Sequence, residues 1–511
     1  MILRDREIEK RLFPIRLFGI ISDMNFKRFN RKIALVLALA TVIGAASCSM
    51  PDPKHSGTPE TTAEPASGAE GLFPLADKDY FVPFQDPKHS YCSLDIGLST
   101  PVREQGAGGC YSYAAVTTMQ TEYLKSKGEL IDINPVDIIN RIYSAPDPIT
   151  GDMPSFDEEK YYIYNGIVTD LGGDMSKVVA GLCADPLNGY MISEANTLGC
   201  YNCGLDGLYE ITEEDIKKAV KEYGAVCLGI NYKKDCKMVN GFYTQNHPDN
   251  INDCNHVATI IGWDDNFPQD CFSVPAYRDG AWLVQNSFGE IWGNSGYYWV
   301  SYDTPLPELY NCVVTKDYSS AVSYGRFPEL LVFSPDAVEM IGRDMESTQI
   351  TREDVMKCSN VEYASVYSKS GTLGAVGIWS DIPGMAYEIE ILEGSFGKQL
   401  STVKGTFKYA GYQTVKLDSP VSVKQFTVVV KTAGAAYFEG ESRETKIYKI
   451  LGFSEAHYEA KTEAGRSFVK AGGEWVDVTD PSVMSLMGLS DVPAYKNMKT
   501  PGDPCITVLF L

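Results

Sequence analysis

The sequence predicts an α+β domain followed by an all-β sandwich, both carried behind an exported N-terminal segment. Three observations lead there. Helix patterns at 111–127 and 212–224 are interleaved with apolar strand runs at 225–230, 257–261 and 281–285. From about residue 315 the texture changes to short alternating runs broken by Gly and Pro. Ahead of both, an uncharged apolar run from Ile33 to Ala46 follows a basic cluster.

That N-terminal run comes first in order. Lys27, Arg28, Arg31 and Lys32 form a basic n-region, and fourteen apolar residues suit a signal peptide but are too few to span a bilayer. The run ends Ala45-Ala46-Ser47-Cys48, which resembles the bacterial lipoprotein signal; the resemblance implies lipidation of Cys48. Ordinary cleavage after Ala46 or Ser47 and an uncleaved anchor helix are the alternatives. Residues 49–75, rich in Pro, Ser, Thr, Gly, Ala and Glu, read as a flexible tether. The expected divisions are 1–48 signal peptide with its lipobox cysteine, 49–90 tether, 91–314 helix-and-sheet domain, 315–490 β-sandwich and 491–511 C-terminal tail. An exported protein, anchored by lipid on the periplasmic face or cell surface, is the expectation.

Charge narrows the partners. The 511 residues carry a net charge of −22, and residues 1–48 hold nine Lys/Arg against four Asp/Glu, so the remainder is more acidic still. Such a body repels phosphate backbones, which argues against nucleic acid. Thirteen cysteines fit an oxidising compartment. Setting aside Cys48 and one catalytic cysteine leaves an odd number, so at least one thiol stays unpaired if the rest pair. Cys200 and Cys203 form a C-x-x-C, but no second pair or nearby His completes a zinc set; no metal and no cofactor are expected.

Tyr111 to Lys127 lacks Pro and Gly until Gly128 and spaces Ala115, Met119 and Tyr123 four apart, predicting a helix with one buried face. Thr212 reads as an N-cap, acids fill the following turn, and Gly224 supplies the stop. In the later region Tyr387, Ile389 and Ile391 alternate with Glu388 and Glu390, as do Phe426, Val428 and Val430 with their neighbours. These are half-buried antiparallel strands.

The chemistry concentrates in two places. Cys110 follows the glycine-rich Gly106-Ala107-Gly108-Gly109 and opens the first helix, where positive potential lowers a thiol pKa. Of five histidines, His256 alone stands at the entrance of an apolar strand, in Asn255-His256-Val257-Ala258. Thirty residues on, Asn286 ends a strand, in Gln285-Asn286-Ser287-Phe288-Gly289, followed by Trp292-Gly293 and Gly296-Tyr297. An Asn there can accept from the imidazole N–H and hold the ring towards a thiol.

With Gln105 ahead of the glycine turn, these segments resemble the papain-type cysteine peptidase family over roughly 91–312. The Cys-to-His separation of 146 residues fits. Residues 171–182, LGGDMSKVVAGL, resemble the family's Gly-Gly turn and helix. The resemblance implies a papain-like two-lobed domain and hydrolysis of protein or peptide substrates through a thioester acyl-enzyme. It further implies Cys110 as nucleophile, His256 as base and acid, Asn286 orienting the ring, and Gln105 with the Cys110 N–H as oxyanion donors. Gln105 to Cys110 is five steps where the family usually has six, and Phe288 stands where the family has Trp. The segment after Cys48 lacks a long charged pro-helix, so activation without self-cleavage is expected. Residues 315–490 resemble, more loosely, the lectin-like domain of some exported bacterial peptidases. That implies a glycan partner, with Trp379, Tyr412 and Trp475 either stacking on sugar or filling the core. The rival functions are a papain-fold binding protein without activity and a Cys-His acyl or glutamyl transferase.

Overall fold

The computed structural model describes residues 90–105, 108–144, 163–164, 167–168, 172–203, 210–232, 236–248, 254–328, 330–334, 357–380, 382–439, 442–445, 456–459, 462–488, 490 and 500–511. The signal segment with Cys48 and the tether to residue 89 lie outside them. Strand β1 (Ser90–Cys92) leads into helix α1 (Cys110–Lys127), which Gly128 closes at φ 74° with its N–H on Leu124 O. Burial runs unbroken from Cys110 to Thr121, so the first three turns of α1 are enclosed on all sides rather than on the one face expected, while the last turn, Lys125 to Lys127, is exposed. Its polar residues allow this by bonding inside the protein. Thr117, Thr118 and Thr121 hydroxyls donate to the carbonyls of Tyr113, Ala115 and Thr117, and Gln120 Nε2 donates to Ile131 O at 2.8 Å.

Helices α2 (Pro135–Ser144) and α3 (Met175–Leu182) pack on α1 and share its core through Ile138, Ile139, Val178 and Val179. Asp174 caps α3 by accepting from Ser176 N at 2.7 Å. Strand β2 (Met191–Tyr201) and helix α4 (Glu213–Tyr223) follow. In α4 the Thr212 and Asp215 side chains each accept from the other's backbone N–H, and Gly224 ends the helix at φ 88°, as the sequence predicts.

The sheet behind α1 is built from β3 (Val226–Ile230), β4 (His256–Asp264), β5 (Ala281–Gln285), β6 (Tyr297–Ser301) and β7 (Leu306–Thr315). Neighbours β3–β4, β4–β5, β5–β6, β3–β7 and β2–β7 are all antiparallel. Successive side chains point to opposite faces. Cys227 and Val257 therefore join the α1 core, while Val226, Leu228 and Ile230 pack with Ile216 and Val220 of α4. The sheet lies between the two helices. Thr259 Oγ1 donates to Ala114 O and Cys312 N to Thr118 Oγ1, which tie α1 to it.

Strand β8 (Ser320–Ser323) passes into the all-β part. Its spine is a long antiparallel pair, β9 (Asn360–Ser380) and β12 (Ala410–Ala433), flanked by the hairpin β10 (Ala386–Glu393) and β11 (Gln399–Thr406). Strands β13 (Ser467–Ala471), β14 (Glu474–Asp477) and β15 (Thr507–Phe510) complete it. Ile389, Ile391, Phe426, Val428 and Val430 are fully buried, as their alternation predicts. Thr427 and Val429 between them are buried too, because the strand is covered on both faces.

The two parts are joined by a shared sheet and a shared core. Ala410–Gln413 of β12 pair with Thr197–Glu194 of β2, and Trp379, Tyr412, Tyr437 and Cys505 lie in the core that holds Cys110. Gly411 sits at this seam with φ 101°; a Cβ there would lie 2.0 Å from Ala195 O, so only glycine fits. The last residues, set apart as a tail in the sequence reading, supply β15, which pairs with both β8 and β9. Asp503 holds this segment through a buried ion pair with Arg466, its Oδ2 2.5 Å from Nη2. Removing one partner strands a buried charge, so Asp503→Ala should destabilise the protein by about 3–5 kcal/mol. An unshifted urea midpoint would contradict this.

Candidate active site

Cys110 is the first residue of α1, placed there by Gly109, whose helical backbone caps the helix without a side chain. A Cβ on Gly109 would meet Ile139 Cδ1 at 3.1 Å, so the residue before the cysteine is small for packing reasons. The amide dipoles of an 18-residue helix converge on this end. Cys110 is fully buried.

His256 opens β4, where its backbone pairs with Ile230, and Asn286 directly follows β5. Because β4 and β5 are neighbours, the two side chains meet: His256 Nε2 lies 2.8 Å from Asn286 Oδ1. The Asn286 backbone N–H is fixed on Gly296 O, and its Oδ1 also accepts from Ser287 N at 2.8 Å. An amide oxygen only accepts, so the proton is assigned to Nε2 and the lone pair to Nδ1. This tautomer suits an imidazole that takes a proton through Nδ1.

Aromatic rings seal the contact. Phe288 stacks on the His256 ring at 4.8 Å, and Trp292 meets Phe288 edge-on at 5.3 Å. Tyr232 packs against His256, Phe288 and Trp292. Tyr232 is absent from the sequence reading; only the fold brings the residue after β3 over the histidine. Asn255 holds it there, accepting from Tyr232 N at 2.8 Å and donating to Tyr232 O at 3.0 Å.

Gln105 is tied to the same loop. Gln105 N donates to Ser287 O and Gly289 N to Arg103 O, with Glu104 bridging Phe288. Ser287 Oγ donates to Gln105 Oε1, which leaves the Gln105 Nε2 hydrogens for another acceptor. Residues 106 and 107 of the shortened turn lie outside the described residues. The Gly-Gly turn is braced by Lys177, whose Nζ donates to Gly172 O at 2.5 Å; a Cβ on Gly173 would meet Lys177 and Tyr111 below 3.0 Å.

Gln105, Ser287, Asn286 and His256 thus form one hydrogen-bonded group, and Cys110 shares a core with Val257, the neighbour of His256. Trp379 and Tyr412 are buried between the two parts of the chain, so of the three aromatics considered for stacking only Trp475 stays half-open, beside Phe396.

Burial lowers the His256 pKa to about 4, and the Asn286 hydrogen bond offsets only part of that. The folded protein therefore holds its proton less tightly than the unfolded chain, whose histidine titrates near 6.5. The resulting stability is fully present above pH 6.5 and is lost as the pH falls towards 4, by about 3 kcal/mol in all. His256→Gln should flatten this acid limb in urea melts at pH 7 and pH 4; an unchanged slope would contradict it.

Residues 95–322 match the papain family of cysteine proteases, and residues 345–487 match the lectin-like domain. The structure is similar to the clostridial cysteine protease Cwp84 after propeptide cleavage, with TM-score 0.57 and 19% identity over 82% of this chain and 98% of that one. It is also similar to the protease and lectin-like domains of Cwp84, described as a surface layer associated protein of Clostridium difficile (TM-score 0.56, 18% identity, 82% and 88% covered). Among sequences, a viral cathepsin of Heliothis zea nuclear polyhedrosis virus is 22% identical over 40% of this chain and 49% of its own length. Cathepsin L of Sarcophaga peregrina is 23% identical over 39% and 55%. The chain spans about half the length of these relatives.

Proposed function

We propose that this chain, built from a papain-family cysteine protease domain and a lectin-like domain, is an exported peptidase that cuts peptide bonds with Cys110, His256, Asn286 and Gln105. The observation that carries the reading is the 2.8 Å bond between His256 Nε2 and Asn286 Oδ1, which leaves Nδ1 as the proton acceptor.

The reaction starts from the reduced thiol. His256 Nδ1 takes the Cys110 proton, and the thiolate attacks the scissile carbonyl carbon. The oxyanion receives hydrogen bonds from Gln105 Nε2 and the Cys110 backbone N–H, each worth about 10²–10³ in rate. The imidazolium protonates the leaving amine, the C–N bond breaks, and a thioester remains. Water, deprotonated by His256, attacks the thioester and releases the acid and the thiol. Asn286 keeps the ring in plane, and the Phe288, Tyr232 and Trp292 rings keep water from the bond it makes.

A peptide-library digest with the reduced protein tests this, using a peptidyl epoxide to label Cys110. Cleavage by the wild type and none by Cys110→Ala supports the peptidase. Labelling without hydrolysis supports a transferase, and no labelling supports a binding protein.

Lipidation at Cys48 would hold the enzyme at a membrane surface; Cys48→Ser should then move it to the soluble fraction. A surface setting agrees with the description of the structural relative. For the β domain, Trp475 beside Phe396 and Lys470 is the aromatic face a glycan would use.

A further inference from the structure

The catalytic group leaves the Cys200-x-x-Cys203 pair without a task. The pair lies at the end of β2, just beyond Thr197, where β12 of the all-β part joins that strand. Both cysteines are buried. Asn202 between them stands at φ 58°, a left-handed backbone that asparagine tolerates and that turns the chain back on itself. Three hydrogen bonds pin the turn. Asn202 Nδ2 donates to Asp303 O at 2.9 Å, Tyr201 Oη donates to Tyr302 O at 2.9 Å, and Ile211 N donates to Cys200 O at 2.8 Å.

This turn sets the two sulfurs side by side. Cys203 Sγ lies 3.3 Å from Tyr201 O and within hydrogen-bond reach of Cys200. Both are thiols here. A disulfide needs its sulfurs about 2.05 Å apart on neighbouring backbone, and rotation of two side chains in one tight turn supplies that. The hydrogen bond from Cys203 lowers the Cys200 pKa in spite of burial, and the same bond, with burial, raises that of Cys203. One sulfur is thus readied as thiolate, with a second thiol beside it to close the ring.

We propose that Cys200 and Cys203 form a redox modification site, which closes to a disulfide by exchange with a disulfide oxidant and clasps the end of β2. The Cys200 thiolate attacks one sulfur of the oxidant, whose S–S bond breaks and whose other sulfur leaves as thiolate. Cys203 then gives up its proton and attacks the Cys200 sulfur, closing the ring and expelling the second thiolate. The pair loses two electrons and two protons, and the oxidant becomes two thiols. Cys110 takes no part, so the site stands apart from the peptidase reading.

The test uses the full chain, expressed for export, purified without reductant and equilibrated with oxidised glutathione. After an acid quench the protein is unfolded, alkylated and mapped by mass spectrometry. Cys200 and Cys203 should be found joined to each other, and a reductant should return both to alkylation. Cys203→Ser, which cannot close the ring, should retain glutathione on Cys200; no adduct there overturns the stated exchange. Both cysteines alkylated in the wild type, either one joined to a different cysteine, or glutathione left on Cys200 beside an alkylated Cys203, overturns the site. So does an open pair that carries zinc in metal analysis.

Discussion

Cys110→Ala should lower peptide hydrolysis by about 10⁴-fold or more while leaving the protein folded. In the proposed reaction this sulfur forms the thioester, and among the described residues no other cysteine opens a helix. Alanine fits because α1 is fixed by its threonine and glutamine bonds and by the β sheet, not by the sulfur. Activity and a urea melt measured on the same preparation separate the two effects. Substantial residual turnover in a folded Cys110→Ala protein would place the nucleophile elsewhere.

The second large effect is redox. Only the thiolate attacks, so treatment with peroxide, which converts the Cys110 thiolate to a sulfenic acid, should abolish turnover, and a thiol reductant should restore it. Full activity of protein whose Cys110 is shown by mass spectrometry to be oxidised would place the nucleophile elsewhere.

How much of this was legible in the sequence depends on whether the signal was local. The α1 start at Cys110, the α4 caps at Thr212 and Gly224, and the strands carrying His256 and Asn286 are written in neighbouring residues. So are the buried alternations at Ile389 and Phe426. The enclosure of the first turns of α1 was not, because Thr117, Thr118 and Thr121 look polar until their hydroxyls are seen on the helix's own carbonyls. Tyr232 reaches the site only through strand register between segments far apart in sequence. The strand at Thr507–Phe510 is too short an apolar run to tell from a tail until β8 and β9 close around it. Trp379 and Tyr412 fill a seam between domains, which no single-domain pattern announces.

The most direct measurement follows the pH dependence of Cys110 alkylation by iodoacetamide in the reduced protein. If sulfur and imidazole trade one proton, the thiolate should persist well below the ordinary cysteine pKa of about 8.5, and His256→Ala should return the inflection towards that value. An inflection near 8.5 in the wild type, unmoved by His256→Ala, would mean that the two groups do not work together.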